Sequence, residues 1–141
     1  MNGPIVVGTD GSDSAGKAVA AAIDLARTFD QPLHVVSAFR PIPLPHDLPA
    51  EFAGSIRGSS VVDAILGDVE SRARVAGVAA TTHAEPGNAA DAVLSVAHRV
   101  DAKVIVVGNK GFGSKSRYVM GNVPSKVAHH ATCSTFVVQT A

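Results

Sequence analysis

Five short apolar runs punctuate the chain, and between them the apolar positions switch to helical spacing. Pro4 to Gly8 (PIVVG), Leu33 to Phe39 (LHVVSAF), Lys103 to Val107 (KVIVV) and Ser134 to Gln139 (STFVVQ) are rich in β-branched residues, and Val78 to His83 is a weaker run of the same kind. Short runs without apolar–polar alternation are typical of strands covered on both faces. Val19, Ala22, Ile23 and Ala26 fall at i, i+3, i+4 and i+7. Val62, Ile65, Leu66 and Val69 repeat that spacing, and Ala73 and Ala76 extend it. The clearest stripe is Ala89, Ala92, Val93, Val96, Ala97 and Val100; such spacing places one apolar face on a helix. Asn88 suits an N-cap there, with Asp91 near the positive end of the helix dipole. The spacing predicts a last helix over Pro124 to His130, since proline is tolerated in a first turn where its missing N–H has no helical partner.

The order β-α-β-α-β-α-β-α-β predicts an α/β fold: a doubly wound, five-stranded parallel sheet with helices on both faces, Rossmann-like, in a single domain over 1–141. Ligands of such sheets bind beyond the carboxyl ends of the strands, at the switch in strand order. The stretches to interrogate are therefore 8–14, 38–46, 84–88 and 108–125. Arg40 to Ser60 stands apart, with Pro41, Pro43, Pro45 and Pro49 followed by Gly54 and Gly58. So many prolines exclude a regular helix or a central strand. A long loop of this kind is read here as a lid or partner contact, or equally as a plain solvated loop.

Composition narrows the function classes. The 141 residues are 46% hydrophobic and 17% charged, which argues against disorder. Twelve basic and twelve acidic residues give a net charge of zero, which disfavours a broad nucleic-acid-binding surface and leaves only a local patch open. A single cysteine, Cys133, excludes an intramolecular disulfide and a multi-cysteine zinc site. No apolar run approaches the roughly 20 residues of a membrane span. The opening MNGPIVVGTD has no basic region followed by an apolar core, so the expectation is a cytoplasmic protein without a membrane partner.

The strongest chemical feature is Val107 to Ser125, VGNKGFGSKSRYVMGNVPS. A buried-type strand ends, Gly108, Gly111, Gly113 and Gly121 follow, and a helix starts. Glycines allow close backbone approach to a ligand, and a helix start offers unpaired N–H groups and a positive dipole end that suit a phosphate. Asn122 and Ser125 add side-chain donors; Lys110, Lys115 and Arg117 add charge. The bland alternative is a glycine-rich turn and nothing more. The second feature is Val6 to Ser14, VVGTDGSDS, which puts Thr9 and Asp10 at the end of the first strand. A carboxylate there accepts from ribose hydroxyls or holds a metal; alternatively Asp10 or Ser12 only caps the first helix.

These residues resemble the universal stress protein family, in its nucleotide-binding type. Thr9-Asp10-Gly11-Ser12-Asp13-Ser14 matches the family's first strand end. Gly108, two residues, Gly111, nine residues and Gly121 match its nucleotide motif, although the following residue is Asn122 where the family pattern has Ser or Thr. The resemblance covers essentially the whole chain. It implies an adenine nucleotide alpha hydrolase-like sheet, ATP as ligand with cyclic AMP as the alternative, and a stress-response sensor or buffer with at most slow ATP hydrolysis. It implies that Asp10 contacts the ribose or a magnesium ion, that Thr9 and Ala38 lie by the adenine, and that Gly87 belongs to the loop after the third strand. Val107, Gly108, Asn109, Gly111, Gly121, Asn122, Val123 and Ser125 would then surround ribose and phosphates. The amide of Asn122 still donates to phosphate but is longer than a serine hydroxyl, and Pro124 removes a donor from the helix start. Both leave a smaller nucleotide, or a nucleotide-free interaction module, as alternatives. The family also commonly pairs its closing strand across a homodimer, here 134–139, which would cover an exposed sheet edge. The rival is a monomer whose edge is covered by the residues after that strand.

Near matches point elsewhere. Gly11-Ser12-Asp13-Ser14-Ala15-Gly16-Lys17-Ala18 fits a phosphate-binding P-loop except at the last position, whose hydroxyl binds magnesium. Val107-Gly108-Asn109-Lys110 approaches a guanine-reading motif but has Phe112 in place of its aspartate, and Thr9 to Ser14 approaches the loop of ATP pyrophosphatases. Of the six histidines, His34, His46, His83, His98, His129 and His130, none stands at metal-pair spacing. His34 reads as a packed or edge residue, and His129-His130 as favourable charges at a helix end. Cys133 reads as a small packed residue. No acid–base pair or nucleophile stands out.

Overall fold

The computed structural model describes residues 1–41, 60–110 and 120–140. Nine elements follow in the predicted order: β1 (Ile5–Gly8), α1 (Asp13–Phe29), β2 (Leu33–Phe39), α2 (Ser60–Val75), β3 (Ala80–Pro86), α3 (Ala89–Arg99), β4 (Val104–Gly108), α4 (Asn122–His130) and β5 (Ser134–Val138). The strands form one parallel sheet in the order β3-β2-β1-β4-β5. The chain builds outward from β1 through β2 to β3, then returns to the other side of β1 for β4 and β5. The switch in order therefore lies between β1 and β4, where Ile5 pairs with both Leu33 and Val104.

Burial on both faces explains the unbroken apolar strands. One face carries α1 and α2: Val19, Ala22, Ile23 and Ala26 pack with Leu66, Val69 and Ala73 against Ile5, Val7, Leu33 and Val106. The other carries α3 and α4: Val93, Val96, Ala97 and Val127 pack against Val6, Val36, Ile105 and Val107. Each fully buried aliphatic side chain contributes about 1.5–3 kcal/mol, and the periodic positions read from the sequence supply most of these contacts.

Two boundaries differ from the expected ones. β3 runs from Ala80 to Pro86 instead of 78–83. It is an edge strand, half-buried along its length, so polar residues such as Thr82, Glu85 and the closing Pro86 fit without an apolar signature. α4 begins at Asn122, two residues before Pro124; the proline sits within the first turn, where a missing N–H breaks no helical bond. The Pro-rich 42–59 stretch lies outside the described residues, and so do Gly111, Gly113, Lys115 and Arg117.

Candidate functional site

The carboxyl ends of β1, β2 and β4 bring together most of the residues singled out in the sequence. Thr9 is buried directly after β1, and its N–H donates to the Val36 carbonyl at 2.9 Å, extending the pairing with β2. Its hydroxyl accepts from the Gly11 N–H at 3.1 Å. Asp10 is exposed; its Oδ1 accepts from the Ser12 N–H at 2.9 Å, which leaves the second carboxylate oxygen facing outward without a partner among the described residues. Gly11 makes this turn possible: its φ of +81° is left-handed, and a Cβ there would come within 2.8 Å of Ile65 Cδ1 on α2. Ala38 lies near the end of β2 opposite Glu85, and Gly87 closes the neighbouring corner, its N–H donating to the Phe39 carbonyl at 2.9 Å.

The three helix starts at this end of the sheet differ in how they satisfy their N–H groups. Ser12 caps α1, its Oγ accepting from the Ala15 N–H at 3.1 Å. Asn88 caps α3, accepting from Asp91 N–H at 2.9 Å. The Asp91 carboxyl is held below its ordinary range by hydrogen bonds from Lys126 and Asn88. At α4 the N-cap is Gly121, which has no side chain to offer. Its own N–H donates to the Asn109 carbonyl at 2.8 Å, and Ser125 N–H closes the first helical bond to Gly121 at 3.1 Å. Pro124 has no N–H. The N–H groups of Asn122 and Val123 are left with no acceptor among the described residues, beside the switch point of the sheet. A helix start with unpartnered N–H groups attracts an anion.

The start of α1 does not have the loop geometry that the near-P-loop spacing would need. Helix begins at Asp13, so Gly16 and Lys17 are already inside it. The Lys17 ammonium donates to the Thr140 carbonyl at 3.1 Å, and Asp13 puts a negative charge where a phosphate would sit.

Asn109 is turned inward. Its N–H donates to the Val138 carbonyl at 2.9 Å, its Oδ1 accepts from the Thr140 N–H at 3.0 Å and the Thr140 hydroxyl at 2.6 Å, and its Nδ2 donates to Gln139 Oε1 at 2.5 Å. Sequence reasoning missed Thr140, which is buried, and Ser37, a buried hydroxyl that donates to the Thr9 carbonyl at 2.7 Å. A lone serine inside the apolar run LHVVSAF was the available signal for Ser37; nothing local marks Thr140.

A cleft of about 430 Å³ opens beside Thr9 and Gly11, between the start of α1 and α2, with Val19, Ile65 and Val69 on its walls and Arg72 at its edge. Among the described residues no group of three or more His, Cys, Asp or Glu side chains is placed to hold a metal ion, and no helix is long and apolar enough to cross a membrane. His34 was expected to be a packed or edge residue; it is half-buried and its Nδ1 lies 2.9 Å from Nε2 of His83 on the adjacent strand. On β5, Phe136 and Val137 are exposed at the free edge of the sheet. After β5, Thr140 donates to Asn109 Oδ1 and its carbonyl accepts from Lys17.

Comparison with known proteins agrees with this architecture. The model of the Universal stress protein family matches residues 1–139. Universal stress protein Rv1636 of Mycobacterium tuberculosis (strain ATCC 25618 / H37Rv) is 33% identical over 144 residues, covering 96% of this chain and 95% of the relative. A solved universal stress protein in complex with cAMP is 30% identical, with a TM-score of 0.79 over 99% of this chain and 98% of that one. The universal stress protein from Archaeoglobus fulgidus in complex with dAMP is 25% identical, with a TM-score of 0.69 and 99% of both chains covered.

Proposed function

The chain belongs to the universal stress protein family, and from that premise we propose that it binds one adenine nucleotide at the carboxyl ends of β1 and β4 as a stress-response sensor or buffer. The observation that carries the placement is the start of α4, where Asn122 and Val123 present free N–H groups while α1 and α3 are capped by their own side chains. The phosphate sits there, with Gly108, Gly121 and Ser125 around it. The outward oxygen of Asp10 accepts from the ribose, and Thr9 and Ala38, at the ends of β1 and β2, border the adenine.

A single phosphate suits this helix start best. Two N–H groups without an acceptor among the described residues, and no third because of Pro124, match a monophosphate or a cyclic phosphate, and the solved relative in complex with cAMP has the same fold. ATP is the second reading, favoured by the free Asp10 oxygen. Magnesium is commonly held by one carboxylate together with substrate phosphates, so Asp10 fits such an ion only when a triphosphate supplies the remaining oxygens. The work proposed is binding that favours one conformation over another. A second copy of the chain pairs along β5 and covers Phe136 and Val137, in a cytoplasmic protein with one domain.

The test of the placement is Gly121→Leu. Gly121 has φ −65° and ψ 169°, which any residue adopts; a Cβ there comes within 3.3 Å of the Asn109 carbonyl oxygen, which must give by a few tenths of an ångström, so circular dichroism accompanies the titration to show that the variant keeps its fold. Adenine nucleotide affinity is expected to fall at least about tenfold with the fold intact; unchanged affinity overturns the placement.

A further inference from the structure

The residues after β5 are tied to the glycine-rich segment by an unusually complete set of hydrogen bonds. Thr140 is buried, although it follows an exposed edge strand. Its N–H and its hydroxyl both donate to Oδ1 of Asn109, and its carbonyl accepts from the Lys17 ammonium on α1. Asn109 in turn donates from Nδ2 to Gln139 and from its N–H to Val138. The remaining backbone group of Asn109, its carbonyl, accepts from Gly121 N–H, the N-cap of α4. Gly108 completes the contact: a Cβ there would meet Thr140 Cγ2 at 3.1 Å. The space left by that glycine is taken by the chain's own threonine.

We propose that Lys17, Asn109 and Thr140 form a latch that positions Gly121 and the start of α4 for a ligand and joins them mechanically to the end of β5. Asn109 and Thr140 are positioning residues: the backbone N–H and carbonyl and the Oδ1 of Asn109 are all bonded to the protein, and so is one of its two Nδ2 donors, so its main influence on a ligand runs through Gly121 and the α4 start. The inference rests on the nucleotide reading for what is bound, and on the hydrogen bonds alone for what is held. When the latch is closed, Gly121 is fixed and the Asn122 and Val123 N–H groups point together. When residues 139–140 lift away, Asn109 loses the acceptors and donors that orient it, and the N-cap is free to move. For a ligand that needs the gathered form, the apparent affinity is the intrinsic one scaled by the fraction of time the latch is closed. Because Thr140 lies two residues after β5, whatever pairs with that strand and whatever binds at α4 influence one another reciprocally.

Two measurements separate the latch from the nucleotide reading. The first is amide hydrogen exchange on the ligand-free protein, comparing the native chain with Lys17→Met, Thr140→Val, the double variant and Thr140→Ser. The latch predicts that the double variant lowers protection at Gly121 about tenfold, that Thr140→Ser, which keeps the hydroxyl, restores it, and that Val106 in the sheet core is unaffected. Loss of protection at Thr140 alone, with Gly121 unchanged, overturns the proposal. Lys17→Met keeps the aliphatic stem on an exposed helix position, so it reports even where the buried Thr140→Val unfolds the chain. The second is titration of the same proteins with AMP and cyclic AMP. An about tenfold weaker affinity of the double variant supports the latch, and equal affinity contradicts it. If the native chain binds neither nucleotide, the nucleotide reading fails, and the exchange experiment still decides whether the 139–140 segment holds Gly121.

Discussion

Replacing Ser37 with alanine removes one hydroxyl from the middle of the molecule, and the structure sets the size of the effect. Ser37 is 2% exposed on β2, the strand beside β1. Its Oγ donates at 2.7 Å to the carbonyl of Thr9, the first residue after β1. Alanine fits the same space with no new cavity of consequence, so the change isolates the hydrogen bond. It leaves a carbonyl beside a buried residue without its donor, at a cost of about 1–3 kcal/mol. For a chain of 141 residues this corresponds to a fall in Tm of about 3–10 °C. Thermal unfolding followed by circular dichroism measures it directly. The same bond fixes the turn that carries Asp10, so affinity for an adenine nucleotide is expected to fall with the stability. Ser37→Thr retains the donor and recovers part of both losses. A Ser37→Ala protein with native Tm would refute the assignment of this hydroxyl as the anchor of the β1 turn.

Other expected outcomes follow from particular residues. Gly11→Ala combines a left-handed φ of +81° with a 2.8 Å approach to Ile65; it is expected to lower stability by about 1–3 kcal/mol in denaturant unfolding, and a neutral result contradicts the described turn. His34 and His83 are both held below the ordinary imidazole range, first by burial, then by each other for His34 and by Arg99 against the opposing Glu85 for His83. The unfolded chain takes up protons near pH 6.5 while the folded pair resists, so the pair's contribution is present above that pH and lost as pH falls through the folded values. Tm is expected to decline from pH 7 toward pH 5, and His34→Gln to flatten that decline; an unchanged slope in the variant contradicts the coupling. Phe136→Lys places a charge on the exposed edge of β5. Light scattering is expected to show a dimer for the native chain and a monomer for the variant, and a monomeric native chain removes the proposed pairing.

The apolar pattern made the fold legible because both faces of the central strands are covered. β1, β2 and β4 have no polar position that must face water in their first three residues, and their runs stand out for that reason. β3 was legible only in part, since an edge strand with half-buried residues carries no such run. Caps on α1 and α3 were visible in the sequence because Ser12 and Asn88 use short-range bonds to residues three positions on. The absence of a cap on α4 was visible only in part: the glycine at 121 is in the sequence, but the start of the helix two residues before Pro124 depends on how the chain leaves Asn109. The roles of Asn109 and Lys17 were not legible at all. Asn109 read as a ligand-facing group and Lys17 only as part of a failed near match, and both are engaged by Thr140, 31 and 123 residues away. Long-range contacts of this kind leave no periodic trace.

The most direct measurement is calorimetric titration of the purified chain with cyclic AMP, AMP and magnesium ATP in parallel. The account predicts saturable binding of an adenine nucleotide at one site per chain, with the single-phosphate ligands preferred, and loss of that binding in Gly121→Leu. Saturable binding of ATP alone would move the ligand to the triphosphate held with Asp10. Binding of none of the three would contradict the central claim and leave the free N–H groups of α4 to some other anion.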